Sequence, residues 1–293
     1  MRHHDLHLQV PAASEYRVED RKVPVDGGEI TVRTVVPTPA GAKDKKFPLL
    51  VWYHGGGWAI GNIDLDDYVL RILSVELQIT TVNVEYRLAP EHLFPTGIND
   101  SYAAAKWAAT QIDYLSADLS KGFLVGGESA GGNLSAVVAL KARDDPFFVG
   151  RQITGQVLLY PVLSHPDSIP DKYKSDLLSM EQNKDAPVLG AQEMAFFRDQ
   201  LKPVINDPDF TPINATSHAN LPPASIQVCG LDPLRDEGLL YEKILKENGV
   251  KTQLRVYPGV PHAFHVFFPS LKTSAQFDQD TKEAIKWLLS LSV

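Results

Sequence analysis

The sequence predicts an α/β protein: an eight-stranded, mostly parallel sheet with helices on both faces. Three observations predict it. The chain opens with two segments that alternate apolar and polar residues around a glycine pair. Five later runs are mostly apolar on both faces, as strands buried in a parallel sheet are. Patterns of helical period lie between those runs, so strand and helix alternate.

Residues 15–25 and 29–37 flank Asp26-Gly27-Gly28 and read as an antiparallel hairpin with one solvated face. LLVWYH (49–54), TTVNVEY (80–86), GFLVG (122–126), GQVLLY (155–160) and ASIQVCG (224–230) are the next strands. Residues 64–78 place Leu65, Val69, Ile72, Leu73 and Leu77 on one side of a helix. Residues 99–112 and 130–143, rich in alanine and leucine, supply two more helices. The helix over 236–248 stops at Asn248-Gly249. A last strand, QLRVY (253–257), precedes a final helix over 274–291. One segment breaks the rhythm. Residues 163–223 separate two central strands by about sixty residues, where a simple crossover needs far fewer. The segment is polar and proline-bearing, with short helical stretches over 171–181 and 190–201. An insertion here reads as a functional lid. The expectation is one domain over 1–293, capped by about 163–223, with the N-terminal 1–14 as a candidate second piece of the cap.

Composition excludes several classes. The chain has 293 residues, 44% of them hydrophobic, enough for a large core. The net charge is −8 and there is no basic stripe, which argues against nucleic acid and against anionic membrane surfaces as partners. The one cysteine, Cys229, excludes an intrachain disulfide and reads as a small buried apolar side chain. The first 20 residues lack the apolar stretch of a signal peptide, and no window reaches the ~18 apolar residues of a membrane span. A cytoplasmic location is therefore expected. The Asn-x-Ser/Thr matches at Asn99, Asn133 and Asn214 carry no weight without a secretion signal. The His3-His4-His7 cluster reads as part of a disordered terminus rather than a metal site. No metal and no cofactor are expected.

The chemistry begins at GFLVGGESAGGNL, where an apolar run passes through small residues into a helical pattern. Gly127-Glu128-Ser129-Ala130-Gly131 matches G-x-S-x-G. On a tight strand-to-helix turn the Ser129 hydroxyl stands clear of the sheet, and side chains at 127 and 131 would collide with backbone. A serine hydroxyl needs a general base, and the base needs an orienting acid. In such a fold the order is serine, acid, histidine. Asp232 follows the strand 224–230, while Asp236 and Glu237 open the next helix, where acidic side chains are favourable for stability alone. Asp232 is therefore taken as the acid. His262 follows the strand 253–257, ahead of His265, which begins an apolar run and reads as packing. His262 is taken as the base. His54, His92, His165 and His218 precede the acid and fit that role poorly.

An oxyanion needs backbone N–H donors. Ala130, just after the nucleophile, supplies one. The loop His54-Gly55-Gly56-Gly57 supplies the others, since backbone without side chains can approach a substrate closely. Gly56 and Gly57 are the donors read from it, with Gly55 as a further candidate. His54 is expected to brace the loop by hydrogen bonding.

Together HGGGW (54–58), YRLAPEH (86–92), GESAGG (127–132), DPLRDEG (232–238) and HAF (262–264) resemble the hormone-sensitive-lipase-like branch of the α/β-hydrolases. The resemblance spans about 49–265. It implies the α/β-hydrolase fold and a carboxylic-ester hydrolase without metal or cofactor. It also implies a Ser129-Asp232-His262 triad, with Gly56, Gly57 and Ala130 as the oxyanion hole. Arg87 and Glu91 would be structural. Two departures stand out. Glu128 occupies a position where much of the family has aspartate. The stretch before HGGGW is short, so the lid should come chiefly from 163–223. The stretch 174–187 is similar to fungal members.

The sequence thus predicts a serine esterase acting on short- to medium-chain acyl esters, with Trp58, Phe264 and cap residues near 174–200 lining the pocket. Its expected partner is a small-molecule ester, with a homodimer through the last strand as a further expectation. Two other readings stand beside it. One is a lyase or cyclase on the same scaffold. The other is a non-catalytic small-molecule receptor, as in the plant gibberellin receptors of this family, which lack the catalytic histidine; His262 weighs against it.

Overall fold

A computed structural model describes residues 10–41 and 44–292. Glycine at 27 takes φ = 72°, which lets β1 (Tyr16–Val25) turn tightly into β2 (Gly28–Pro37). The pair is antiparallel from Tyr16 opposite Pro37 to Val25 opposite Gly28. β2 pairs antiparallel with β4 (Thr80–Glu85). Every later pairing is parallel: β4 with β3 (Leu49–Tyr53), β3 with β5 (Phe123–Glu128), then β6 (Gly155–Leu159), β7 (Ala224–Leu231) and β8 (Thr252–Pro261). The sheet order is β1-β2-β4-β3-β5-β6-β7-β8.

Side chains alternate between two helical layers. Leu49, Val51 and Tyr53 face α2 (Thr96–Thr110) and α3 (Ala130–Asp144), whereas Leu50 and Trp52 face α1 (Asp67–Leu77) and α8 (Lys272–Ser290). α6 (Arg235–Glu247) packs Leu240, Tyr241, Ile244 and Leu245 beside α3. α3 is buried on nearly every side, and its alanines and glycines allow the close approach. Cys229 is a free, buried thiol in the core layer toward α8.

The strand order has one consequence for the site. From β3 the chain moves outward to β4, then returns across β3 to β5 and continues the other way. The carboxyl ends of β3 and β5 therefore border a crevice, the place where open α/β sheets bind ligands.

The expected helix over 64–78 begins later, at Asp67, and Leu65 lies exposed before it. The stretch 171–181 is not one helix but a 3-10 turn (Asp171–Asp176) and a short α4 (Ser179–Gln182). The N–H groups of Leu178 and Ser179 donate to the Asp236 carboxylate at 2.8 and 2.7 Å, which draws the backbone away from helical pairing. α5 (Ala191–Leu201) matches the second stretch. His3, His4, His7 and most of the proposed 1–14 piece lie outside the described residues.

Candidate active site

β5 ends at Glu128 and α3 begins at Ala130, so Ser129 alone makes the turn. It adopts φ = 54° and ψ = −113°, a conformation L-residues rarely hold. Two glycines make the turn feasible. A Cβ at Gly127 or at Gly131 would overlap the Tyr53 carbonyl oxygen. The Ser129 N–H donates to Leu159 O at 2.9 Å, tying the turn to the end of β6.

β7 runs one residue further than the apolar run suggests, so Asp232 follows it directly. β8 likewise continues to Pro261 and delivers His262 at its end. The Asp232 carboxylate is fully buried. Its Oδ1 accepts the Leu234 N–H at 2.9 Å, and its Oδ2 lies 2.7 Å from His262 Nδ1. His262 Nε2 lies 3.0 Å from Ser129 Oγ. With Nδ1–H donated to the carboxylate, Nε2 faces the serine as an acceptor. The structure thus brings together three side chains 133 and 30 residues apart along the chain in one hydrogen-bonded line.

Opposite them lies the glycine loop. Gly56 and Gly57 take φ = 116° and 59°. A Cβ on Gly56 would overlap the Ile60 carbonyl, and one on Gly57 would enter the ring of Phe197 from α5. Among the described residues, the N–H groups of Gly55, Gly56 and Gly57 enter no hydrogen bond. The Ala130 N–H stands at the free N-terminus of α3, beside Ser129. His54 does not face the triad. Its Nδ1 bonds Gly55 O at 2.7 Å, its ring stacks on Tyr86 at 4.4 Å, and Tyr86 Oη donates to its carbonyl at 2.9 Å. Burial lowers its pKa to about 4, so it braces the loop as a neutral ring. Arg87 grips Asp100 through Nε and Nη2 at 2.8 and 2.7 Å, away from the cavity.

These groups open onto a cavity of about 290 Å³. Its walls are largely apolar: Trp58, Ile60, Leu65, Val162, Val188, Leu189, Met194, Phe197, Val266 and Phe267. Trp58 lines it as expected, wedged against Phe210 at 5.4 Å. Four wall residues, Val188, Leu189, Met194 and Phe197, come from the insertion 163–223. Phe264 does not line the cavity, contrary to expectation. Ala263 adopts left-handed backbone (φ = 51°) and turns the chain, sending Phe264 into the core between Tyr257 and Phe277. Ala263, Val266 and Phe267 take the cavity side instead.

Sequence reasoning missed the polar groups beneath the nucleophile. Tyr160 follows β6 on the same rim and stands edge-on to the His262 ring, centroids 4.7 Å apart. Its hydroxyl bonds Glu128 Oε2 at 2.7 Å and His265 Nε2 at 2.8 Å. His265 is therefore more than packing. Burial works against its charge, but Glu128 and Asp278 outweigh burial and hold its pKa above the usual imidazole value. Asp66 joins the cavity wall as well. The signal for Tyr160 was its place at the carboxyl end of a central strand.

Among the described residues, no group of three His, Cys, Asp or Glu side chains is placed to hold a metal ion. No helix among them is long and apolar enough to cross a membrane.

Comparison with known proteins agrees with this geometry. The family described by the α/β hydrolase fold matches residues 50–266. A carboxylesterase of Mycobacterium tuberculosis is 38% identical over 85% of this chain and 76% of its own length. A versiconal hemiacetal acetate esterase of Dothistroma septosporum is 36% identical over 85% of this chain and 76% of its own. The crystal structure of a vibralactone cyclase superposes with a TM-score of 0.95 at 49% identity, covering 97% of this chain and 83% of that one. The chain belongs to the α/β-hydrolase fold family, in its hormone-sensitive-lipase-like carboxylesterase branch, and is a hydrolase enzyme.

Proposed function

We propose that the chain hydrolyses short- to medium-chain acyl esters through an acyl-enzyme on Ser129. The observation that carries this reading is the line Asp232–His262–Ser129, with contacts of 2.7 and 3.0 Å, at the floor of an apolar cavity. His262 Nε2 takes the Ser129 proton as Oγ attacks the ester carbonyl. Negative charge develops on the former carbonyl oxygen. The N–H groups of Gly56, Gly57 and Ala130 receive it, each donor being worth ~3–4 kcal/mol in such sites. The tetrahedral intermediate expels the alcohol, which takes the proton from His262. Water then repeats the sequence, with His262 as base, and releases the acid and free Ser129. Asp232 keeps the imidazole tautomer throughout.

A cavity of about 290 Å³ suits a small ester better than a long fatty chain. The N–H groups along Gly55–57 make no hydrogen bond among the described residues and border the cavity, which also supports the assignment.

A second reading, cyclisation, is favoured by the likeness to a vibralactone cyclase. The same acyl-enzyme could be intercepted by a hydroxyl of the substrate itself, giving a ring in place of a free acid. Intact-protein mass spectrometry with an activated ester tests the shared step: we expect an acyl adduct on the wild type and none on Ser129→Ala. The absence of any adduct under rapid quench would contradict both readings. The product mass separates them, since hydrolysis adds one water and cyclisation adds none.

A further inference from the structure

Asp66 stands immediately before α1, where an aspartate ordinarily accepts N–H groups of the first turn. Here its side chain accepts none of them. Its Oδ2 accepts the buried indole N–H of Trp52 at 2.7 Å instead. The residue is only 7% exposed, and it lines the catalytic cavity. With Oδ2 committed to Trp52, Oδ1 is the oxygen left to meet a ligand. Burial, aided by the nearby Glu128 carboxylate, pushes the Asp66 pKa up to about 8. The shift favours the protonated carboxyl, which can donate as well as accept.

The other polar side chains of the cavity are engaged. Ser129 and His262 bond each other, and Tyr160 and Glu128 do likewise. The remaining walls are mostly apolar. A carboxyl facing such walls is costly unless the ligand brings its partner.

We propose that Asp66 determines specificity by holding an uncharged hydroxyl of the substrate, so that the preferred substrates are hydroxyl-bearing carboxylic esters. The inference rests on the Ser129 ester chemistry above and names its substrate class. A carboxylic acid meets a hydroxyl with one donor and one acceptor, whereas an alkyl arm leaves it unpaired. An ammonium group would require the ionised carboxylate, which this site disfavours.

The test compares p-nitrophenyl hexanoate with its 2-, 3- and 6-hydroxy counterparts in the wild type, Asp66→Asn, Asp66→Leu and Asp66→Ala. Asparagine keeps an acceptor for Trp52 and an N–H for the ligand; leucine and alanine keep neither. We expect at least one hydroxy ester to exceed hexanoate in kcat/KM by about tenfold in the wild type. Asp66→Asn should keep most of that ratio, and Asp66→Leu and Asp66→Ala should bring it close to one. Absence of a hydroxyl preference in the wild type, or equal ratios in all folded variants, overturns the proposal and leaves Ser129-dependent hydrolysis of hexanoate standing. Hexanoate left untouched by the wild type, or turned over equally by Ser129→Ala, overturns the ester-hydrolase reading and this inference with it.

Discussion

Ser129 spends conformational energy to be useful. Its left-handed backbone is held by Gly127 and Gly131, which pack against the Tyr53 carbonyl where no Cβ fits. Asp232 and His262 each follow a strand end, so their backbones are fixed by the sheet before their side chains meet. Asp232→Asn should therefore leave the fold intact but unsettle the His262 tautomer, lowering kcat by about 10³–10⁴. Circular dichroism and steady-state rates check this together; near-normal turnover would remove Asp232 from its assigned role. At this scale the sequence was most legible where residue type and spacing carry the chemistry. It was least legible where side-chain direction decides. Phe264 is two residues from the base, yet the left-handed turn at Ala263 sends it into the core. The Tyr160–Glu128–His265 cluster joins residues up to 137 positions apart only once β5, β6 and α7 (Phe264–Phe267) are placed.

Among the elements, α6 does more than the pattern of its first turn suggests. Asp236 and Glu237 look like acids that favour a helix N-terminus. In the structure they are tethers. Asp236 accepts the N–H groups of Leu178 and Ser179, and Glu237 accepts those of Leu163 and Ser164 at 2.6 and 2.8 Å. They pin the long β6–β7 segment to the body near the cavity. Burial raises the Glu237 pKa from 4.5 to about 7, against the pull of Arg198 and the two N–H groups. A raised carboxyl pKa favours the folded state at low pH. That advantage is lost as pH rises from 4.5 through 7. Glu237→Gln keeps an acceptor and cannot ionise. Its melting temperature relative to the wild type should therefore be higher at pH 8 than at pH 4.5; a difference that does not change with pH would contradict this reading of Glu237.

Across the whole molecule, the sheet was legible because buried parallel strands are apolar on both faces and separated by helices. Strand order was not, since β3 lies between β4 and β5 only through the direction of each crossover. The crevice that holds the site follows from that order. β8 forms one edge of the sheet, with Val256 45% exposed. We propose that this edge pairs across a two-fold axis into a homodimer. Light scattering should return about twice the chain mass, and a proline replacing Val256 should shift it toward the monomer. A monomer mass for the wild type at micromolar concentration would dismiss the pairing.

The most direct measurement is hydrolysis of p-nitrophenyl esters from acetate to dodecanoate by the wild type beside Ser129→Ala. We expect turnover that is highest for short and medium acyl chains, falls as the chain outgrows the cavity, and drops by about 10³-fold or more in Ser129→Ala. Equal rates in the two proteins, or no turnover of any ester, would contradict the assignment of Ser129 as an esterase nucleophile.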